Sequence, residues 1–304
     1  LPIFIVDHKE IWIFGNNSTE VWYDAGQPDF PLAPIQGAFL ETGCAAPYSV
    51  AKMDNSVFWL AADARGYGMV LRARGYQPER ISTHAIEYAI QSYETISDAI
   101  AYTYQQDGHL FYVLTFPTAD VTWVYDAATK MWHQRGYVDN VTGEFKRHMP
   151  TCMASYYNRI YLGHPSSSTI RYYDFNNFTE FNLTQAWLRS WRALPTGQND
   201  LKRTAQHSLQ LDCEAGTTSL PVLSSPVSGT SLNVGLRWSD DGGHNWSNQH
   251  FRSMGFAGQT GQRVIWRRLG MTQKLRDRVY EVSCSGRGKT AIMGAELIAD
   301  GTNA

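Results

Sequence analysis

Along the first 180 residues, apolar positions cluster in short alternating runs. Each run follows a polar turn and is answered by a second aromatic run. The first runs are Glu10 to Phe14 (EIWIF), Ser56 to Leu60 (SVFWL), Leu110 to Leu114 (LFYVL) and Arg159 to Leu162 (RIYL). Their partners are Glu20 to Asp24, Gly68 to Arg72, Thr122 to Asp126 and Ile170 to Asp174. Alternation with period two, rich in Trp, Tyr, Phe, Val and Ile, predicts half-buried β-strands joined as hairpins. The pairs Asp7-His8, Asp54-Asn55, Asp107-Gly108 and Tyr157-Asn158 supply the turns. Trp12, Trp59, Tyr112 and Tyr161 lie 47, 53 and 49 residues apart, which is the period of a β-propeller blade. Such a sheet cannot bury both faces alone and must stack on a neighbour, so the aromatic stripe is predicted to fill the wedges between blades. The chain opens directly in a strand-like run, and the expectation is that further blades lie upstream.

One segment breaks the pattern. Ile86, Ala89, Ile90 and Tyr93 recur at helical spacing after Ser82-Thr83, whose hydroxyls suit an N-cap, so a short helix is predicted near 84–93. It is expected to pack on the propeller rim or to reach a neighbouring subunit. After about residue 180 the repeat stops. The stretch 185–202 reads as a linker with a helical turn or two, placing the propeller at 1–184 and a smaller β domain at 203–304. Strand-like runs there are Arg203 to Leu211, Val234 to Trp238, Val264 to Leu269, Arg278 to Ser283 and Ala291 to Ile298, while Thr217 to Ser231 has the composition of a mobile loop. The fold class is therefore all-β: propeller blades followed by a β-sandwich-like domain.

Composition supports that class, with 10 Trp, 17 Tyr and only 18% charged residues. A net charge of −2 gives no global field toward nucleic acid or an anionic membrane. Locally the balance differs: Arg237 to Lys289 holds ten Lys or Arg against four Asp or Glu. The four cysteines, Cys44, Cys152, Cys213 and Cys284, form no CxxC and no zinc spacing, and are read as buried free thiols, a disulfide staying open. No stretch reaches the ~18 apolar residues of a membrane span, so no membrane partner is expected.

The run Trp238 to Trp246 (WSDDGGHNW) fits the Asp-box pattern Ser-x-Asp-x-Gly-x-x-Trp through Ser239, Asp241, Gly243 and Trp246. Its logic is structural: the Asp241 carboxylate accepts backbone N–H groups, Gly243 takes a positive φ, and Trp246 packs the turn on its hairpin. Asp-boxes also occur in sialidases, so a sialidase-like glycoside hydrolase or a carbohydrate-binding propeller is the alternative. A sialidase needs an arginine cluster, a Tyr–Glu nucleophile pair and an acid, which no run of this sequence groups together. Motifs for nucleotide, zinc-protease or serine-hydrolase chemistry are missing from the sequence, and no cofactor is implied. Arg263, Arg267, Arg268, Arg276 and Arg278 are candidate interface or DNA-channel residues; a solvated face or salt bridges to an acidic neighbour are the competing readings.

The runs Ser97 to Tyr102, Gly108 to Pro117 (GHLFYVLTFP), Thr122 to Asp126 and Trp132 to Gly136 resemble the tail hub family of short-tailed bacteriophages, called packaged-DNA stabilization or tail nozzle proteins. Trp238 to Trp246, Arg252 to Gly255, Ile265 to Gly270 (IWRRLG) and Arg276 to Val279 resemble the same family. Family members are longer at the N-terminus. The resemblance implies a non-enzymatic virion protein, assembled in the host bacterial cytoplasm. It would form a ring, a hexamer, below the portal and its adaptor, and close the channel that retains packaged DNA. The implied partners are further copies of the chain, the portal-adaptor protein, the tail needle, tailspike or fibre proteins, and packaged DNA.

Overall fold

A computed structural model of the chain describes residues 3–62, 68–139, 141–180, 183–192, 202–217, 232–272, 278–286 and 288–301. They form two compact units, Leu1–Asp139 with Gly143–Tyr173, and Asn140–Thr142 with Asp174–Ala304. The division at Tyr173 falls earlier than the expected boundary at 184.

The first unit is built from antiparallel sheets in chain order. Sheet one contains β1 (Ile3–Asp7), β2 (Glu10–Phe14), β3 (Thr19–Asp24) and β4 (Leu32–Leu40). Sheet two contains β5 (Ala51–Met53), β6 (Ser56–Ala62), β7 (Gly68–Arg74) and β8 (Gln77–Arg80). Sheet three contains β9 (Ile100–Gln106), β10 (His109–Phe116), β11 (Val121–Asp126) and β12 (Met131–Gln134). A ribbon of β13 (Gly136–Val138) and β14 (Phe145–Arg147) precedes sheet four, which contains β15 (Cys152–Tyr156), β16 (Arg159–Gly163) and β17 (Arg171–Tyr172). The aromatic runs of the repeat are thus the second and third strands of each sheet.

The turns explain the hairpins. Asp54-Asn55, Asp107-Gly108 and Tyr157-Asn158 all have positive φ at both residues, the geometry whose twist matches two-residue hairpins. In the first sheet the positive-φ pair is His8-Lys9, one residue later than the sequence reading placed it.

Adjacent side chains on a strand enter different cores. Trp12, Phe14 and Val21 of sheet one pack on Val57, Trp59 and Leu71 of sheet two, with the Phe14 and Trp59 rings 5.3 Å apart. The alternate residues Phe58, Leu60 and Val70 face Tyr112, Leu114, Phe116 and Tyr125 of sheet three. Tyr102, Tyr104, Val113 and Val124 then face Leu162, with Met153, Ile160 and Tyr173, of sheet four. The aromatic stripe is therefore wedge packing, and full burial of one such side chain is worth about 2–3 kcal/mol.

The helix α1 (His84–Gln91) is N-capped by Thr83, whose hydroxyl accepts from the Ile86 amide at 3.4 Å. Its apolar side, Ile86 and Ile90, joins the core between sheets two and three, and Ile90 lies so near Gly68 that a Cβ there would come within 2.8 Å of it.

The second unit is a two-sheet sandwich, beginning with a short ribbon, β18 (Thr179–Glu180) and β19 (Leu183–Thr184). Its remaining strands are β20 (Ala186–Arg192), β21 (Thr204–Cys213), β22 (Asn233–Ser239), β23 (His250–Ser253), β24 (Val264–Met271), β25 (Val279–Ser285) and β26 (Ile292–Gly301). One sheet runs β20-β25-β22-β23 and the other β24-β21-β26. Leu209, Leu211, Val234, Leu236, Trp266, Tyr280 and Val282 fill the space between them.

The 185–202 linker reading is corrected here. Residues 186–192 form an edge strand paired with β25, and Trp187 and Trp191 pack on the sandwich core from one side of it. Residues 193–200 and the Ser/Gly-rich stretch 218–231 lie outside the described residues. Cys44 and Cys284 are buried thiols, burial pushing the Cys284 thiol up to about 11, but Cys213 is half-buried and Cys152 is exposed, contrary to the buried reading of all four.

Candidate functional site

The Asp-box follows directly from β22. Ser239 is buried at the end of the strand, and its hydroxyl accepts the Gly243 amide at 2.9 Å while donating to Asp241 Oδ1 at 2.6 Å. Asp241 Oδ1 also accepts the amides of His244 at 2.9 Å and Asn245 at 2.8 Å, and Oδ2 accepts Asn245 Nδ2 at 2.6 Å. Gly243 has φ +107°, a value L side chains rarely adopt. Trp246 closes the turn beneath the Arg237 guanidinium, 4.7 Å from its ring centre, and Arg237 pairs with Glu281.

These donors hold the Asp241 carboxyl well below the usual carboxylate range, the Asn245 amide first among them, then Ser239 and the Asn245 side chain. A carboxylate filled in this way stays ionised and has no proton to deliver, so it cannot serve as a glycosidase acid at neutral pH. All four residues of the motif come together, and what they build is a turn.

The arginines separate into two kinds. Arg278, just before β25, is 1% exposed. It donates from Nε to Asp240 Oδ1 at 2.6 Å, from Nη2 to Asp240 Oδ2 at 2.7 Å, and from Nη1 to the Leu269 carbonyl at 2.7 Å. Trp238 and Tyr280 flank its guanidinium. Burial pulls its pKa down, but the Asp240 and Tyr280 contacts outweigh this and hold it above the ordinary value. Arg278 is thus a core clamp for the Asp-box turn and has no surface to offer a partner or DNA, which corrects its place among the interface candidates. The residue beside the motif, Asp240, is the partner the sequence reading missed.

Arg263, Arg267 and Arg268 are exposed on or beside β24. Arg263 donates to Gln210 Oε1 at 2.5 Å. Arg267 and Arg268 make no ion pair with any of the described residues. Arg268 has φ +60° where the ladder slips a residue between Gln206 and Ser208, so it sits in a β-bulge that turns its side chain out of the strand's alternation. Arg276 lies outside the described residues.

A second polar cluster lies in the first unit, at the wedge between sheets three and four. Arg135 donates to Tyr104 Oη at 2.5 Å and Tyr173 Oη at 3.3 Å, with its guanidinium carbon 5.5 Å from the ring centres of Tyr104 and Phe111. Tyr102 and His148 both reach Tyr173 Oη, at 3.2 Å and 2.9 Å. Burial pushes Tyr104 up to about 12 and raises Tyr102 as well, so both hydroxyls stay protonated in a cluster that holds the two sheets together. Among the described residues no three His, Cys, Asp or Glu side chains are placed to hold a metal ion.

Comparison with known proteins agrees with this structural character. No curated protein matches the chain. Among solved structures, an exo-β-1,3-galactanase from Phanerochaete chrysosporium with bound β-1,3-galactotriose overlays 98% of this chain and 81% of its own. The identity is 11% and the TM-score 0.29, too low to carry an inference about fold or activity. Residues 4–177 match the family model described as bacteriophage P22 Gp10, β-propeller, and residues 187–299 match that described as bacteriophage P22 Gp10, β-sandwich. The two matches leave only the termini and a short join uncovered, and the chain belongs to the bacteriophage P22 Gp10 family, structural tail hub proteins of short-tailed phages.

Proposed function

We propose that this virion tail protein forms a ring below the portal and its adaptor, a hexamer, that closes the DNA channel and retains the packaged genome. On this reading it assembles in the host cytoplasm and contacts the adaptor and the tail needle, spike or fibre proteins. Its work is mechanical, with no turnover chemistry. The supporting observation is β24: Arg267 and Arg268 are exposed on it, carry no ion pair with the described residues, and the exposed Arg263 immediately precedes it. Exposed guanidinium groups on a strand suit an acidic neighbouring subunit or DNA phosphates.

The test is Arg267→Glu with Arg268→Glu, imaged by negative-stain microscopy with the adaptor present and scored for DNA retention in assembled particles. Loss of rings or of retained DNA is expected. Rings and retention equal to wild type would sink the role of this strand. The same preparations should show no turnover of a fluorogenic sialoside, and measurable turnover would restore the glycosidase alternative.

A further inference from the structure

Two arginines of this chain show how its guanidinium groups take up an oxyanion. Arg278 fixes Nη1 on the Leu269 carbonyl and turns its Nε–Nη2 edge on both oxygens of Asp240. Arg80 turns the same edge on Glu87, from Nε to Oε1 and from Nη2 to Oε2. This edge carries two parallel N–H groups, whose spacing matches the two oxygens of a carboxylate or phosphate. Arg72, Arg147 and Arg237 are also partly buried, and each faces at least one carboxylate.

Arg135, partly buried between β12 and β13, has the first half of this arrangement without the second. Its Nη1 is fixed by Tyr104 Oη and Tyr173 Oη, as that of Arg278 is fixed by a carbonyl. Nη2 reaches only the His133 ring, with Nε2 at 3.4 Å, and Nε donates to no group among the described residues. No carboxylate among the described residues pairs with it. Its neighbours in the cluster, Tyr102, Tyr104, Tyr173, His133 and His148, are of types that are neutral or cationic at pH 7. Cation–π attraction to the Tyr104 and Phe111 rings steadies the guanidinium but leaves its in-plane N–H groups for hydrogen bonds. A charge withdrawn from water without a counter-charge is costly, and an anion in contact with it offsets that cost.

We propose that the Nε–Nη2 edge of Arg135 is a binding site for a small oxyanion, one that presents two phosphate or carboxylate oxygens side by side. Tyr104 and Tyr173 are its positioning residues, aiming the guanidinium through Nη1. Tyr102 and His148 hold Tyr173 in turn, at 3.2 Å and 2.9 Å from its hydroxyl. The groups that build the site come from both sides of one junction: Tyr102 and Tyr104 belong to β9 of sheet three, and Tyr173 follows β17 of sheet four. A bound oxyanion therefore adds a charged contact where these two sheets meet. The site lies wholly within the first unit and is separate from the role proposed for β24.

Isothermal titration calorimetry of the whole chain with sodium phosphate, and separately with sodium acetate, tests it, with ionic strength held constant by sodium chloride. Wild type is expected to bind a single equivalent of phosphate, of acetate or of either in competition, and the ion taken up names the kind of oxyanion the edge fits. Arg135→Lys keeps the charge and loses the paired edge. It is expected to weaken binding at least about tenfold, the scale of one charge-assisted hydrogen bond. Tyr104→Phe keeps the guanidinium and removes a hydroxyl that aims it, so it too is expected to weaken binding, and it carries the test if circular dichroism shows Arg135→Lys to be unfolded. Arg267→Glu with Arg268→Glu is expected to bind as wild type does. A wild type that binds neither ion overturns the proposal. Affinity unchanged in the folded Arg135 or Tyr104 variant, or binding abolished by the β24 pair, overturns it equally.

Discussion

Asp240 and Asp241 are neighbours with different tasks, the first clamping Arg278 and the second gathering the amides of its own turn. Replacing Arg278 by Met removes the partner of the solvent-exposed Asp240 and leaves the Leu269 carbonyl without this donor, and should cost about 1–3 kcal/mol in urea unfolding, the scale for losing a charged hydrogen bond and leaving an acceptor unsatisfied. Arg267→Met on the exposed strand should stay within about 0.5 kcal/mol. Asp241 carries a pH signature. Its folded-state pKa lies below the unfolded value of about 4, so its contribution is complete above that value and is lost as pH falls through it toward the folded pKa. The stability difference between wild type and Asp241→Asn should therefore be largest at neutral pH and shrink in acid. A difference that does not change with pH would mean that the carboxylate's charge is not what the turn uses. The Asp-box was legible in sequence because its residue types at fixed offsets specify a turn. Arg278 was misread because charge content alone does not show which side of a strand a residue takes. The signal was present: Arg278, Tyr280, Val282 and Cys284 alternate on one side of their strand, and three of the four are apolar or aromatic.

The two middle strands of each sheet in the first unit were legible, because packing on both faces demands runs as apolar as Phe58-Trp59-Leu60, whereas outer strands such as the exposed β8 carry no such signal and were missed. The stretch 186–192 was not, since Trp187, Leu188 and Trp191 in an edge strand mimic helical spacing, and only pairing with β25 distinguishes the two. The stack predicts how substitutions divide. Trp59→Ala, in the wedge between sheets one and two, should cost about 3–5 kcal/mol and lower the melting temperature sharply. Phe39→Ser, at an exposed position of sheet one, should move stability by no more than about 0.5 kcal/mol. A large loss from Phe39→Ser would show that this side chain is packed as the wedge residues are.

At the scale of the whole molecule, the basic surface offered for assembly should respond to salt. Arg263, Arg267 and Arg268 lie in a stretch where ten basic residues face four acidic ones, within a chain whose net charge is −2. Contacts made by exposed guanidinium groups weaken as the screening length falls from about 10 Å at 0.1 M salt to about 3 Å at 1 M. Attachment through β24, to an acidic subunit or to DNA, should therefore fall steeply as sodium chloride is added. Light scattering across a sodium chloride series measures it, and assembly that is unmoved between about 0.1 M and 1 M salt would mean that these arginines do not hold it.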